Sequence, residues 1–418
     1  MITSRRLERP DPVLIRSRVG VAVAFLANGA MLATWASRIP AVMGRLGLTP
    51  GQLGLALLAE VGGVLLVMQV AGPLCGRLGS RPVTRAGVVL MSLAMLGPAL
   101  AWSLPSLVVG LLLLGGGNGM LDVAMNAHGV TVERRYGRPI LSGFHALWSA
   151  GGILGALCGS LAAEADVPVL AHFAVAAAVL GVGAMAATRW LLPASVDAIA
   201  PTTAATPAGA TGTAPRRWGR RARGLAMDRR VLILGLIGFA CLGEGAAANW
   251  SAVYLRGLGA SPGMAAAGLG AFSVTMTAGR LLGDRLNARF GAVRLARVSG
   301  VIAAVGLGAG LAVGTPAAGV VGFALHGVGL SCIVPLVFSA AGRIGGAHAG
   351  TALARVATLS YAGPLIGPVV IGTIADRTSL ATGLLLPVAL AGAVALAAGS
   401  LRPATPEPLP APDVTAGR

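Results

Sequence analysis

The feature that constrains this chain most is a series of apolar runs, each about 20 residues long. A helix of about 20 apolar residues crosses the hydrocarbon core of a bilayer, and backbone groups in lipid must hydrogen-bond within their own segment. The runs therefore predict transmembrane helices. Only 11% of the 418 residues are charged, against about 25% in a soluble domain. The twelve predicted spans are 19–40, 53–75, 84–102, 106–127, 143–163, 168–192, 231–255, 263–283, 293–314, 317–339, 351–375 and 380–401.

The placement of arginine supports this number of spans and predicts their orientation. The chain has a net charge of +18, and all 32 basic residues are arginines. With the N-terminus inside, 28 of them fall in cytoplasmic segments and four in outer segments, as the positive-inside rule requires. We therefore expect an inner-membrane protein with both termini in the cytoplasm. Dispersed charge also argues against a nucleic-acid binder, which concentrates its charge on one face. The four outer arginines are Arg38, Arg45, Arg256 and Arg377.

A polar segment divides the spans into two groups of six. Residues 195–215 are rich in Ala, Thr and Pro, and residues 216–223 form a basic patch with one tryptophan. The patch is interpreted as a loop that sets topology, or alternatively as a short interfacial helix that binds anionic lipid. The predicted parts are a cytoplasmic segment 1–18, a six-helix bundle 19–192, a cytoplasmic linker 193–230, a second six-helix bundle 231–401 and a cytoplasmic tail 402–418.

The two groups of spans resemble each other, which predicts an internal repeat of six helices. Any single match is weak in a chain with 63 glycines, but the matches agree in order and in offset. At one shared offset, 149–156 aligns with 361–368, Gly115 with Gly327 and Gly117 with Gly329. At a slightly larger offset, Ala33 aligns with Ala248 and Trp35 with Trp250. Gly72-x3-Gly76 after span 2 is likewise matched to Gly279-x3-Gly283 after span 8.

The segment 72–81 reads Gly-Pro-Leu-Cys-Gly-Arg-Leu-Gly-Ser-Arg. It resembles the Gly-x-Leu-x-Asp-Arg-x-Gly-Arg-Arg signature between helices 2 and 3 of the major facilitator superfamily. It departs from that signature at Gly76 and Ser80, whereas Asp284 and Arg285 keep an Asp-Arg pair in the second half. The resemblance implies an all-α membrane protein with twelve transmembrane helices in two six-helix pseudo-repeats. The gating candidates are Arg77, Arg81, Asp284, Arg285 and Arg355.

Four further motifs resemble a narrower group, the YbjJ-type inner-membrane transporters. The similarity covers about residues 19–400, and it does not name a solute. The motifs are Asp122-Val-Ala-Met-Asn126, His145-Ala-Leu-Trp148-Ser149-x-Gly151, Glu244-Gly245-x3-Asn249-Trp250 and Arg355-Val-Ala-Thr358.

Three acids lie inside predicted spans: Glu60, Asp122 and Glu244. An aspartate at a helix centre costs about 2.5–3.5 kcal/mol on the insertion scale, so such a group should face a cavity or a partner. The resemblance places helices 1, 4, 7 and 10 around a central cavity, which makes Asp122 and Glu244 cavity-lining and Glu60 peripheral. All three are proton-coupling candidates. The alternative is that they only tie helices together by hydrogen bonds.

The other polar and aromatic residues of the same spans are candidates for lining the solute cavity. Asn118, Asp122 and Asn126 share one face of span 4, because residues four apart lie on the same side of a helix. Asn28, Met31 and Trp35 likewise form a stripe on one face of span 1, which suggests stacking against a sugar or another flat solute. A belt at the outer membrane interface would equally explain the tryptophans of spans 1 and 7. The candidates are Asn28, Met31, Trp35, Asn118, Asn126, Trp250, Tyr254 and His326.

The predicted function is secondary active transport, and the expected mechanism is proton-coupled alternating access around a midplane site. The expected solute is a sugar or another polar metabolite. Two alternatives stay open: a proton-antiport exporter of drugs or metabolites, and a membrane sensor or scaffold that does not transport. No enzyme motif, metal site or cofactor is predicted. The expected partners are the solute, a proton and the bilayer, and the chain is expected to be a monomer.

Overall fold

The described residues form an all-helical bundle, which confirms the predicted fold class. The computed structural model describes residues 11–137, 140–197, 229–240, 242–345 and 349–402. The N-terminal segment 1–10, most of the linker (198–228) and the tail 403–418 lie outside the described residues. Within the described part, eleven helices are long and apolar enough to cross a membrane. The other predicted span lies in a helix of 29 residues, Pro262–Phe290, which is long enough but more polar.

We number the helices after the twelve predicted spans. The first half contains α1 (Pro12–Leu46), α2 (Pro50–Leu78), α3 (Ser80–Ala94, continued by Leu96–Leu100), α4 (Leu104–Tyr136), α5 (Leu141–Glu164) and α6 (Val169–Ala187). The second half contains α7 (Arg229–Phe239, continued by Leu242–Gly257), α8 (Pro262–Phe290), α9 (Ala292–Val313), α10 (Pro316–Leu330, continued by Ile333–Gly345), α11 (Ala349–Arg377) and α12 (Leu380–Gly383, continued by Leu385–Ala397).

Several helices extend beyond their apolar runs because capping residues lie outside those runs. The run predicted at 53–75 belongs to a helix that begins at Pro50, where Thr49 and Gln52 form a capping box. A capping box satisfies two backbone N–H groups that the first turn leaves free. Ser103 and Ser106 make the same arrangement at the start of α4. Hydropathy marks the part of a helix in lipid, whereas caps mark its ends.

The internal repeat extends to the turns between helices. Helices α2 and α8 both have 29 residues, and both begin with a proline after a hydroxyl N-cap, Thr49 in α2 and Ser261 in α8. The two caps are separated by the same offset that aligns Gly115 with Gly327. Glycines with positive φ, a conformation that side chains disfavour, flank both helices at this offset. They are Gly47 (60°) and Gly79 (84°) in the first half and Gly259 (83°) and Gly291 (75°) in the second.

This register corrects one of the sequence matches. At the offset that relates the two caps, Gly72 aligns with Asp284 and not with Gly279, and both glycine pairs lie inside α2 and α8 rather than after them. Two glycines four residues apart recur by chance in a chain with 63 glycines, so this match carried little information.

Equivalent helices pack in equivalent ways. In the first half, α1 packs on α5, and α4 packs on both α2 and α3; in the second, α7 packs on α11, and α10 packs on both α8 and α9. Glycine permits the closest of these approaches. A Cβ at Gly115 would overlap the carbonyl oxygen of Glu60 in α2, and one at Gly327 would overlap that of Phe272 in α8. The halves contact each other through α2 with α11, α5 with α8, and α1 with α7.

Candidate functional site

An amide network joins three helices of the first half. The Asn28 side chain in α1 donates to Asn118 Oδ1 in α4 at 2.8 Å, and its oxygen accepts from Trp148 Nε1 in α5 at 2.7 Å. Asn28 is only 1% exposed. A buried amide with both ends bonded holds its neighbours in one arrangement. Asn28 and Asn118, both predicted to line the cavity, therefore connect helices in this conformation.

Glu60 points into the first half rather than lying at its periphery, which corrects the predicted position. Its carboxylate in α2 accepts a hydrogen bond from Trp35 Nε1 in α1 at 3.2 Å. The Trp35 ring also lies edge-on to Phe173 of α6. Trp35 is 2% exposed and Trp250 is fully buried. The alternative of an interfacial tryptophan belt is therefore wrong for this pair.

Asp122 accepts its hydrogen bonds from a residue of its own helix, α4. The Asn126 amide donates to Asp122 Oδ1 at 3.1 Å and to the Asp122 carbonyl oxygen at 2.9 Å. The structure thus brings Asn118, Asp122 and Asn126 to one face of α4, as their spacing predicted. Asp122 lies one helical turn from the bond between Asn118 and α1.

Glu244 forms an ion pair between α7 and α8. Arg280 Nη2 lies 3.0 Å from both carboxylate oxygens of Glu244, and the side chains of Arg280 and Glu244 are 36% and 32% exposed. Arg280 is also within electrostatic range of His145 on α5. The pair therefore faces the other half of the molecule. Sequence reasoning identified Glu244 but counted Arg280 only among the 28 arginines of cytoplasmic segments, although its place inside the run 263–283 was a signal that it had a partner.

The cavity candidates of the second half are covered in this conformation. Trp250, Tyr254 and His326 are at most 4% exposed. Among the described residues, Trp250 Nε1, the Tyr254 hydroxyl and His326 Nε2 have no hydrogen-bond partner. The other His326 nitrogen lies 3.1 Å from the carbonyl oxygen of Ala303. A buried polar group without a partner costs about 1–3 kcal/mol. Met31, on the first-half stripe, is also buried, at 1%.

The structure leaves the gating candidates as predictions. Arg81 donates to the carbonyl oxygen of Arg189 at 3.3 Å, a contact between α3 and the end of α6 in the same half. Arg77 and Arg285 are exposed, and Arg355 is half-buried in α11 and has contacts of its own. The side chain of Asp284 lies outside the described part of the chain.

Sequence reasoning missed a buried histidine in α4. His128 is completely buried, and its Nε2 accepts the backbone N–H of Leu192 at 3.1 Å and lies 3.4 Å from the Ser17 hydroxyl. Its Nδ1 lies 2.6 Å from the Ser80 hydroxyl. Since Nε2 accepts, this pattern assigns the ring proton to Nδ1. His128 thus joins the start of α1, the start of α3 and the chain after α6.

Two acids at helix ends bond across the halves, and these contacts were also missed. Asp376 in α11 accepts from the Thr49 hydroxyl at 3.0 Å and from the Gly51 N–H at 2.9 Å, both at the start of α2. Glu164 in α5 accepts from the Ser261 hydroxyl and the Gly263 N–H, each at 2.8 Å, at the start of α8. We call this side of the molecule, marked by these four helix ends, the closed face.

Two repeated helical halves, with ionisable and amide groups inside and between them, define a polytopic membrane protein of the transporter class. The Major Facilitator Superfamily profile matches residues 236–417. The uncharacterised transporter y4wD of Sinorhizobium fredii is 37% identical over 367 residues, which is 86% of this chain and 92% of that protein. The chain belongs to the major facilitator superfamily. The narrower YbjJ-type grouping stays a prediction.

Two further relatives cover similar shares of the chain. An uncharacterised MFS-type transporter of Yersinia pestis is 34% identical over 370 residues, covering 88% of this chain and 91% of its own. The membrane protein MosC of Rhizobium meliloti is 30% identical over 381 residues, covering 90% and 88%. Two of these three relatives are named as transporters, in agreement with a multi-pass membrane transporter.

Solved structures share the fold at low sequence identity. The nucleoside transporter NupG superposes with a TM-score of 0.72 at 14% identity, covering 94% of this chain and 99% of its own. A bacterial homologue of the human lysosomal transporter Spinster gives 0.68 at 14% identity, covering 94% and 97%. The Escherichia coli fucose:proton symporter FucP gives 0.58 at 17% identity, covering 94% and 100%.

Proposed function

We propose that this transporter is proton-coupled and moves a small polar solute, such as a sugar or a polar metabolite, across the inner membrane by alternating access. The observation that carries the proposal is the ion pair of Glu244 with Arg280, which faces the other half of the molecule. Two groups compete for such a carboxylate: the guanidinium and a proton. When Glu244 takes up a proton, Arg280 loses its partner and becomes free to bind elsewhere, which links protonation to a rearrangement.

Asp122 and Glu60 are further sites where a proton could bind. Each carboxylate accepts a hydrogen bond from a neutral donor, Asn126 and Trp35 respectively. Neither bond balances the negative charge, and an uncompensated charge inside a membrane protein is costly. Protonation removes that cost. We rank Asp122 ahead of Glu60 because it shares a face with Asn118, which reaches α1.

The unpartnered polar groups of the second half support a polar solute. Trp250 Nε1 is a hydrogen-bond donor, the Tyr254 hydroxyl both donates and accepts, and His326 Nε2 accepts if its ring donates to Ala303. A solute with several hydroxyl groups satisfies both kinds of group. The shared fold of NupG and FucP, whose names specify nucleosides and fucose with a proton, agrees with this class.

The test is solute accumulation in membrane vesicles with and without an imposed pH gradient. Asp122→Asn and Glu244→Gln keep shape but remove the carboxyl proton, so both variants should exchange solute across the membrane and fail to concentrate it. Asp11→Asn is the matched control, because Asp11 caps α1 outside the spans and asparagine caps equally well. Variants that concentrate solute as well as the parent would refute proton coupling through these acids.

The same vesicles separate the alternative functions. An exporter that exchanges solute for protons should load everted vesicles when their interior is acidic. A sensor or scaffold should move solute in neither orientation. Monomeric state is proposed from the family and is checked by the mass of the detergent-solubilised protein.

A further inference from the structure

The two acids of the closed face occupy equivalent positions in the internal repeat. The same offset separates Glu164 from Asp376, Thr49 from Ser261, and Gly51 from Gly263. Each acid accepts from one hydroxyl and one backbone N–H. The two contacts cross between the halves in opposite senses. The same interaction is therefore built twice, on the two sides of the interface.

Each of the two carboxylates is electrostatically unfavourable at the end of its own helix and favourable next to the start of the helix that it contacts. Glu164 is the last residue of α5, and Asp376 is the last but one of α11. The C-terminal end of a helix carries partial negative charge, so an acid there is unfavourable for its own helix. The N-terminal end of a helix carries free N–H groups and attracts a carboxylate. Helices α8 and α2 supply those ends.

The first residues of α2 and α8, the helices whose N-terminal ends contact the two acids, make room for the carboxylates. Proline follows the N-cap in both and has no N–H, so the first free donor belongs to the next residue, Gly51 or Gly263. A Cβ at Gly51 would overlap Asp376 Oδ2, and one at Gly263 would meet Glu164 Oε2. Glycine thus permits the carboxylate to approach. Around these contacts Ser160 donates to the Gly263 carbonyl oxygen at 2.6 Å.

We propose that Glu164 and Asp376 form a pair of symmetric latches that hold the closed face shut, and that both must release their helix N-termini before this face opens. The proposal rests on the alternating access of the proposed function, because a latch has a role only if the face opens. The exposed position of both acids lets water replace the hydrogen bonds, so the latches are weak enough to release. They bias the conformational equilibrium without locking it.

A cross-link that forms only in the closed state measures this bias. A Cβ at Gly270 in α8 would lie 3.9 Å from the Cβ of Ala156 in α5, within the range of about 3.5–4.5 Å that disulfides require. Ala156→Cys with Gly270→Cys, in a background without the native cysteines, should therefore cross-link readily under mild oxidation. Glu164→Gln with Asp376→Asn should slow cross-linking, by about two- to fivefold for each latch lost.

The control is Asp166→Asn, which removes the same charge two residues after Glu164. Asp166 has a φ of 50°, a conformation that asparagine tolerates. It should leave the rate unchanged. A rate that is unchanged in the latch variants, or lowered equally by the control, would overturn the proposal.

A second pair of variants covers the case in which the latch variants do not accumulate in the membrane. Gly51→Ala and Gly263→Ala displace both carboxylates while keeping their charge, and they should slow cross-linking in the same way. Gly44→Ala is their control, because nothing lies within 4 Å of a Cβ there. An unchanged rate in the glycine variants would also overturn the proposal. Cross-linking needs no solute or pH gradient, so its outcome is independent of whether transport is detected.

Discussion

The buried imidazole of His128 is expected to stabilise the first half. Its removal by His128→Ala leaves the Leu192 N–H and the Ser80 hydroxyl without this partner in the interior, which costs about 1–3 kcal/mol. The midpoint of thermal unfolding in detergent should therefore be lower for His128→Ala than for the parent protein. His145→Ala is the control, since His145 is exposed and should change the midpoint little. Equal midpoints for the two variants would refute the stabilising role.

At the scale of residues, a hydrogen bond could be predicted only when its two partners lie close together in the sequence. The Asp122–Asn126 bond follows from helical spacing, because the two residues are four apart. The bond from Ser261 to Glu164 joins residues 97 apart, and the contacts of His128 span up to 111 residues. No local pattern encodes such pairings. The constant offset of the internal repeat was the available signal for the latches, since it relates both acids and both hydroxyl caps.

At the scale of helices, two neighbouring glycines of α5 make a sharp test of packing. A Cβ at Gly151 would overlap the carbonyl oxygen of Leu26 in α1, whereas one at Gly152 would meet nothing within 4 Å. Gly151→Ala should push α5 away from α1 and destabilise the protein by about 1–3 kcal/mol. Gly152→Ala should be neutral or stabilising, because alanine favours helix over glycine by about 1 kcal/mol. The midpoints of thermal unfolding of the two variants test this. A lower midpoint for Gly152→Ala than for Gly151→Ala would contradict the close packing of α5 against α1 at Gly151.

The number and order of helices were predictable because lipid imposes one length and one secondary structure on every span. Their breaks were less predictable. The run 231–255 is one apolar stretch, but α7 is described as two segments, Arg229–Phe239 and Leu242–Gly257. The run 263–283 illustrates the opposite case, since α8 continues as a helix to Phe290 through two arginines, Arg285 and Arg289. Helical hydrogen bonding continues where hydropathy has ended.

At the scale of the whole molecule, the helix ends divide into two faces. The closed face includes Arg45, which donates to the carbonyl oxygens of Pro98 and Ala99 in the last turn of α3 and of Ala101 just after it. The opposite face includes Arg230 at the start of α7, which donates to the carbonyl oxygen of Arg402 at 2.6 Å. The start of the second half and the end of its last helix therefore lie on one side. His128 likewise brings together the start of α1 and the chain after α6.

This arrangement sharpens the topology prediction. Reporter fusions after Arg217 and at the C-terminus should both show cytoplasmic activity, because 28 of the 32 arginines belong to the segments that are predicted to be cytoplasmic and positive segments stay inside. A fusion after Leu48, in the turn between α1 and α2 on the closed face, is the control and should show periplasmic activity. A periplasmic signal at Arg217 would mean an odd number of spans before the linker, and one at the C-terminus would mean an odd number after it. Either result would contradict the twelve-span topology, and opposite signals at the two points would also contradict the contact between Arg230 and Arg402.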